Sequence, residues 1–176
     1  MPVETSESRS PGGAAPPAGS AVGRDFVRRF TNVLPELQLQ AGIARRIENL
    51  LNDWSAEHGN LRGTYISREV DASYFQDRDM PPEALARPKL HALAIDGEHL
   101  FEFVAFAHGL RRDVVDLRSI AQIQETWLEP KPEDPFIYRV LLYHNFPAAT
   151  VMLATTGETQ DSAQEFVARL KYLRGW

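Results

Sequence analysis

The chain contains no cysteine. Disulfides, thiolate chemistry and cysteine-held metal are therefore excluded, and the composition fits a reducing compartment. No apolar run approaches the ~20 residues that a membrane-spanning helix needs. Residues 1–23 are rich in Ser, Pro, Gly and Ala and lack the apolar core of a secretory signal. These absences predict a cytoplasmic protein that does not enter a membrane. A basic excess is missing too. With 19 Lys and Arg against 24 Asp and Glu, the net charge is −5 and the pI near 5.5, which argues against a nucleic-acid partner. There is no G-x-x-x-x-G-K-[ST] phosphate loop, no G-x-G-x-x-G, no H-E-x-x-H and no G-x-S-x-G elbow. The sequence thus reads as non-enzymatic, with no cofactor.

What remains is a chain of 176 residues, 43% hydrophobic, with room for one domain and an arm. The composition divides it into a disordered tail at 1–23, a helical arm at 24–60 and a β-rich domain with a terminal helix at 61–176. In the arm, Asp25 is placed to cap a short helix carrying Phe26, Val27, Phe30 and Leu34, and Pro35 restarts the chain. Leu39, Ile43, Ile47, Leu50, Leu51 and Trp54 then repeat at helical spacing, and Gly59 is a stop signal. This stripe either covers the domain that follows or docks another protein.

Leu61–Val70 reads as a strand centred on Tyr65 and Ile66, and the polar stretch Asp71–Arg87 as a loop with a turn of helix at Glu83–Ala86. From Leu90 the pattern is a series of short strands. Asp96-Gly97 supplies the positive φ angles of a tight hairpin between Leu90–Ile95 and His99–Phe106. The second of these is apolar on both faces apart from Glu102, so something must cover its outer side. Arg112–Leu117, Ile120–Leu128, Phe136–Tyr143 and Ala149–Thr155 follow, the last two joined through Asn145-Phe146-Pro147. The prolines of Glu129–Pro135 make that segment an acidic, stiff loop. Gln160–Leu173 is an amphipathic helix carrying Ala163, Phe166, Val167, Leu170 and Leu173, with Thr159 as candidate N-cap and Gly175 as stop.

Few residues suggest chemistry. Arg111 and Arg112 are placed to meet a phosphate, or to keep a sheet edge soluble. Glu98 and Glu102 share one strand face as a possible carboxylate pair, but Glu102 is better placed to pair with Arg112 or Arg139 across the sheet. His91, His99, His108 and His144 match no ligand spacing, so no metal site is predicted. Trp127 at a strand end and the terminal Trp176 are candidate contact residues. So are Phe101 and Phe103 if a partner, rather than the chain itself, covers their strand.

The fold class these patterns predict is α+β: a small antiparallel β-barrel or roll of six to seven strands, closed by a C-terminal amphipathic helix and preceded by a helical arm. Leu93–Leu100, Asp113–Ile123 and Gln160–Leu173 together resemble the first hairpin, a middle strand pair and the closing helix of the pleckstrin-homology (PH)-like superfold, including its bacterial and GRAM-type relatives. The resemblance spans about half the chain and implies binding rather than catalysis. Some members hold phosphoinositides with basic residues at the first hairpin; here that hairpin reads Asp96-Gly97-Glu98-His99. The role it leaves is an adaptor or regulatory module that takes a protein partner, or a second copy of itself, along a sheet edge or beside the helix. The alternatives are a membrane-surface or lipid-binding version of the fold, and a small-molecule or enzyme site in the barrel interior.

Overall fold

The computed structural model describes residues 20–71, Tyr74, 87–144 and 149–176. Most of the loop read at Asp71–Arg87, the Asn145–Pro147 turn and residues 1–19 of the tail lie outside them. The described chain begins in helix. Ser20 accepts the Gly23 N–H through Oγ at 3.1 Å and caps α1, Ala21–Val33. The expected tail therefore ends before Ala21. Asp25 is not the cap: it lies one turn inside α1, where the i,i+3 and i,i+4 spacing brings it Arg28 and Arg29. A single 3-10 turn, Leu34–Glu36, carries Pro35 near its start. Gly42, at φ +80°, then redirects the chain into α2, Ile43–Glu57.

Seven strands follow: β1 Gly63–Ser67, β2 Leu90–Ile95, β3 His99–Phe106, β4 Gly109–Asp116, β5 Ile120–Trp127, β6 Tyr138–His144 and β7 Ala149–Thr155. They form two antiparallel sheets, β1-β2-β3-β4 and β5-β6-β7. Helix α3, Gln160–Arg174, ends at Gly175 with φ +80°. Among the described residues no helix is long and apolar enough to cross a membrane.

The first sheet is the middle of three layers. One face carries Leu90, Ala92, Ala94, Phe101, Phe103 and Ala105 and is covered by Phe26 and Phe30 of α1 and Ile47, Leu51 and Trp54 of α2. Phe103 is the hub, its ring centroid 4.9 Å from Trp54 and 5.8 Å from Phe26. The arm thus covers the domain's own sheet. The other face carries Tyr65, Leu93, Ile95, Leu100 and Val115, packed against Val140, Leu142 and Leu153 of the second sheet and Ala163, Phe166 and Leu170 of α3. Burial on both faces explains the nearly unbroken apolar runs of β2 and β3. Each such large side chain removed from water contributes about 1.5–3 kcal/mol.

The expected barrel is not closed. Among the described residues β4 pairs only with β3, and β5 only with β6. Between them a 3-10 turn, Leu117–Ser119, bends the chain away from ladder geometry. Beside this turn, Arg174 of α3 donates to the Ile120 and Arg118 carbonyls, at 3.1 and 3.4 Å.

Candidate functional site

The edge strands β4 and β5 lie on either side of this corner, and they differ in burial from the inner strand β2. All six residues of β2 are buried, whereas β4 and β5 are largely exposed. β5 has a bulge between Ile120 and Gln122. The extra residue turns both Ile120 and Ile123, three apart, toward the core. From there the alternation places Glu125 and Trp127 on the core side at the sheet margin, and Gln122, Gln124 and Thr126 on the outer side.

Glu125 interrupts the apolar face for a structural reason. It accepts from Tyr138 Oη at 2.7 Å and pairs with Lys171 of α3. The Lys171 ammonium holds the Glu125 carboxyl below its ordinary range, and burial with the adjacent carboxylate pushes the Tyr138 phenol up. Trp127 rests on the Tyr138 ring, centroids 4.6 Å apart, yet is 56% exposed. At the opposite end of β5, the Arg174 guanidinium lies over the Trp176 ring at 5.0 Å, and Trp176 is 52% exposed. Tyr172, on the solvent side of α3, is 79% exposed. β5 is thus an edge strand beside a helix, with a tryptophan at each end. An edge of this kind presents main-chain donors and acceptors to an extended segment.

The sheet interior holds a second polar constellation. His91 Nε2 lies 2.9 Å from Glu102 Oε1, and both side chains are at most 3% exposed. Arg111 approaches the other Glu102 oxygen at 3.6 Å and holds Asp113 at 3.0 Å. A third cluster surrounds Glu69. Burial pushes its carboxyl up, but the hydroxyls of Thr155, Thr156 and Thr159 and the Thr156 N–H outweigh burial and hold it below the ordinary glutamate value. This cradle ties the end of β1 to the β7–α3 turn. Thr159 spends its hydroxyl there and on Thr155, and makes no side-chain cap on α3.

The sequence-predicted residues do not converge. Arg111 faces the sheet interior. Arg112, one residue on, faces the opposite side across from Phe103 and is exposed. The two arginines therefore cannot close on one phosphate. Glu102 takes His91 and Arg111 rather than Arg112 or Arg139; Arg139 holds Asp71 and Asp134 instead. Glu98 lies in the exposed hairpin turn, its N–H bonded to Asp96. Phe101 and Phe103 are 3% and 1% exposed beneath the arm and offer no contact surface. Among the described residues no three histidines or carboxylates are grouped to hold a metal. Trp127 and Trp176 remain, at the two ends of β5. Sequence reasoning missed Tyr172, Arg174 and Arg118. The available signal was Tyr172's place off the apolar stripe of its helix. No protein-family model matches the chain, and no curated protein matches it.

Proposed function

We propose that the protein is a non-catalytic interaction module that receives an extended polypeptide segment along the free edge of β5, beside α3. The observation that carries this reading is the β5 margin itself: an edge strand with exposed tryptophans at both ends and Tyr172 nearby, the other exposed large apolar side chains among the described residues being Val22 and Val114. Seven strands followed by one terminal helix is also in keeping with the PH-like resemblance, which implies a partner along a sheet edge or beside the helix. The first hairpin supports a protein partner over an anionic lipid. Asp96 Oδ1 accepts the N–H groups of Glu98 and His99 at 2.7 and 2.6 Å, leaving an acidic turn.

The test is an array of extended ten-residue peptides probed with the full chain, followed by hydrogen exchange on the complexes. Slowed amide exchange at Gln122–Trp127, with binding lost in Trp127→Ala, supports the reading. Binding that leaves β5 exchange unchanged overturns it.

A further inference from the structure

The charge pattern around β5 identifies an occupant. We infer that it is a second copy of this chain, with the two β5 strands paired antiparallel about a two-fold axis. The inference rests on the edge-binding reading above and names its partner.

The argument begins with the ends of the strand. At the Ile120 end stand Arg118 and Arg174. The Arg174 guanidinium is satisfied by carbonyl oxygens and the Trp176 ring; Asp116 accepts the Arg118 backbone N–H, and neither guanidinium is paired with a carboxylate among the described residues. At the Trp127 end the acidic loop begins. Asp134 is taken by Arg139, whereas Glu129 and Glu133 are exposed and have no cationic partner among the described residues. Between the ends, the outward side chains Gln122, Gln124 and Thr126 are neutral, and Glu125 is already neutralised by Lys171.

Such a strand is self-complementary in one orientation only. In antiparallel pairing with full overlap, Ile120 of one copy faces Trp127 of the other. Beyond the strand, this orientation brings the Arg118–Arg174 end of each copy beside the Glu129–Glu133 end of the other, twice by symmetry. Parallel pairing would set arginine against arginine and glutamate against glutamate. Eight residues of strand give a shared edge of roughly 26 Å. Each exposed Trp127 would then meet the Ile120 end of the second copy, beside its Trp176.

The test uses the full chain in sedimentation equilibrium, with circular dichroism to confirm that each variant folds. Arg118 and Glu129 are exposed, so their substitution leaves the core intact. The wild type is expected to reach the mass of two chains. Arg118→Glu, and separately Glu129→Lys with Glu133→Lys, should each weaken the dimer about tenfold or more, and mixing the two variants should restore association as a heterodimer. A wild type that stays monomeric to hundreds of micromolar, a dimer insensitive to both charge reversals, or a mixture that fails to recover each overturns self-pairing. A monomer whose β5 amides are still protected by array peptides removes this inference and leaves the edge reading standing. A dimer with no β5 protection and no peptide binding there removes both.

Discussion

His91 and Glu102 form a hydrogen-bonded pair at 2.9 Å inside the first sheet, on adjacent strands and offset diagonally across the ladder. Glu102 faces Asp113 directly across the β3–β4 ladder, and Arg111 lies within 4 Å of both carboxylates. Two like charges opposite one another are tolerated because a cation bridges them. The cluster thereby ties β2, β3 and β4 together through side chains as well as through the ladder.

Removing both members of the pair should cost less than the two single losses added together. Glu102→Leu removes the hydrogen bond to His91 and one of the two carboxylates beside Arg111, with an expected loss of about 3–5 kcal/mol. His91→Leu combined with Glu102→Leu should cost less than the sum of the single changes by about 0.5–3 kcal/mol. Urea unfolding of the four proteins in the cycle measures this; strict additivity would show that the two side chains are not coupled.

Glu69 should give the fold a component of acid sensitivity. Its carboxyl is depressed in the folded state, so its stabilisation is complete above the unfolded-chain value near ~4.3 and disappears as pH falls through the lower folded value. Glu69→Gln should therefore be destabilised at neutral pH, by about 1.5–3 kcal/mol for the charge-assisted hydrogen bonds lost. The gap to wild type should close in acid. Thermal melts from pH 7 down to pH 3 test the sign.

Phe103→Ala should cost about 3–5 kcal/mol, because it empties the space between α1, α2 and the sheet. The same site tests the standing of the arm. A chain starting near Thr64 would expose Phe101, Phe103, Leu90 and Ala105 together, and should bind a hydrophobic dye or aggregate. A soluble, cooperatively unfolding fragment would show that the arm is dispensable.

Gly42→Ala should lose about 1 kcal/mol through backbone conformation alone. The residue sits at φ +80°, and an added Cβ would meet nothing within 4 Å. A smaller change at the neighbouring exposed Ala41→Gly, read by denaturant midpoint, is the control.

Much of this architecture was legible residue by residue. Asp96-Gly97 located the first hairpin and the bounds of β2 and β3, but not its turn type: neither residue takes a positive φ, and Asp96 Oδ1 instead accepts the Glu98 and His99 N–H groups. The apolar outer face of β3 required a cover, and the stripe Ile43–Trp54 supplied one. What was not legible depended on register. The Ala107-His108 turn pairs Phe106 with Gly109 and starts β4 earlier than its apolar residues suggest. That shift sends Arg111, not Arg112, toward Glu102. The bulge at the head of β5 likewise leaves no local signature, yet it decides which side chains meet α3. Barrel closure was misjudged because strand patterns record faces, not whether neighbouring sheets bond. The helix start at Ser20 was hidden in a segment whose composition reads as tail. Of the candidate contact residues, Trp127 and Trp176 are exposed, whereas Phe101 and Phe103 are buried beneath the arm.

The packing of Phe26 and Phe30 on Phe103 also sets a schedule for synthesis on the ribosome. The two helices of the arm emerge first, with their aromatic faces bare, and the strands that cover them emerge more than thirty residues after α2 ends. Until β3 is out, the nascent chain displays Phe26, Phe30, Ile47, Leu51 and Trp54 to its surroundings. Contacts this distant along the chain close slowly, and exposed apolar helices in the interval are what chaperones bind. Dependence on such holding factors during translation is therefore a cost of placing the cover ahead of the sheet it protects.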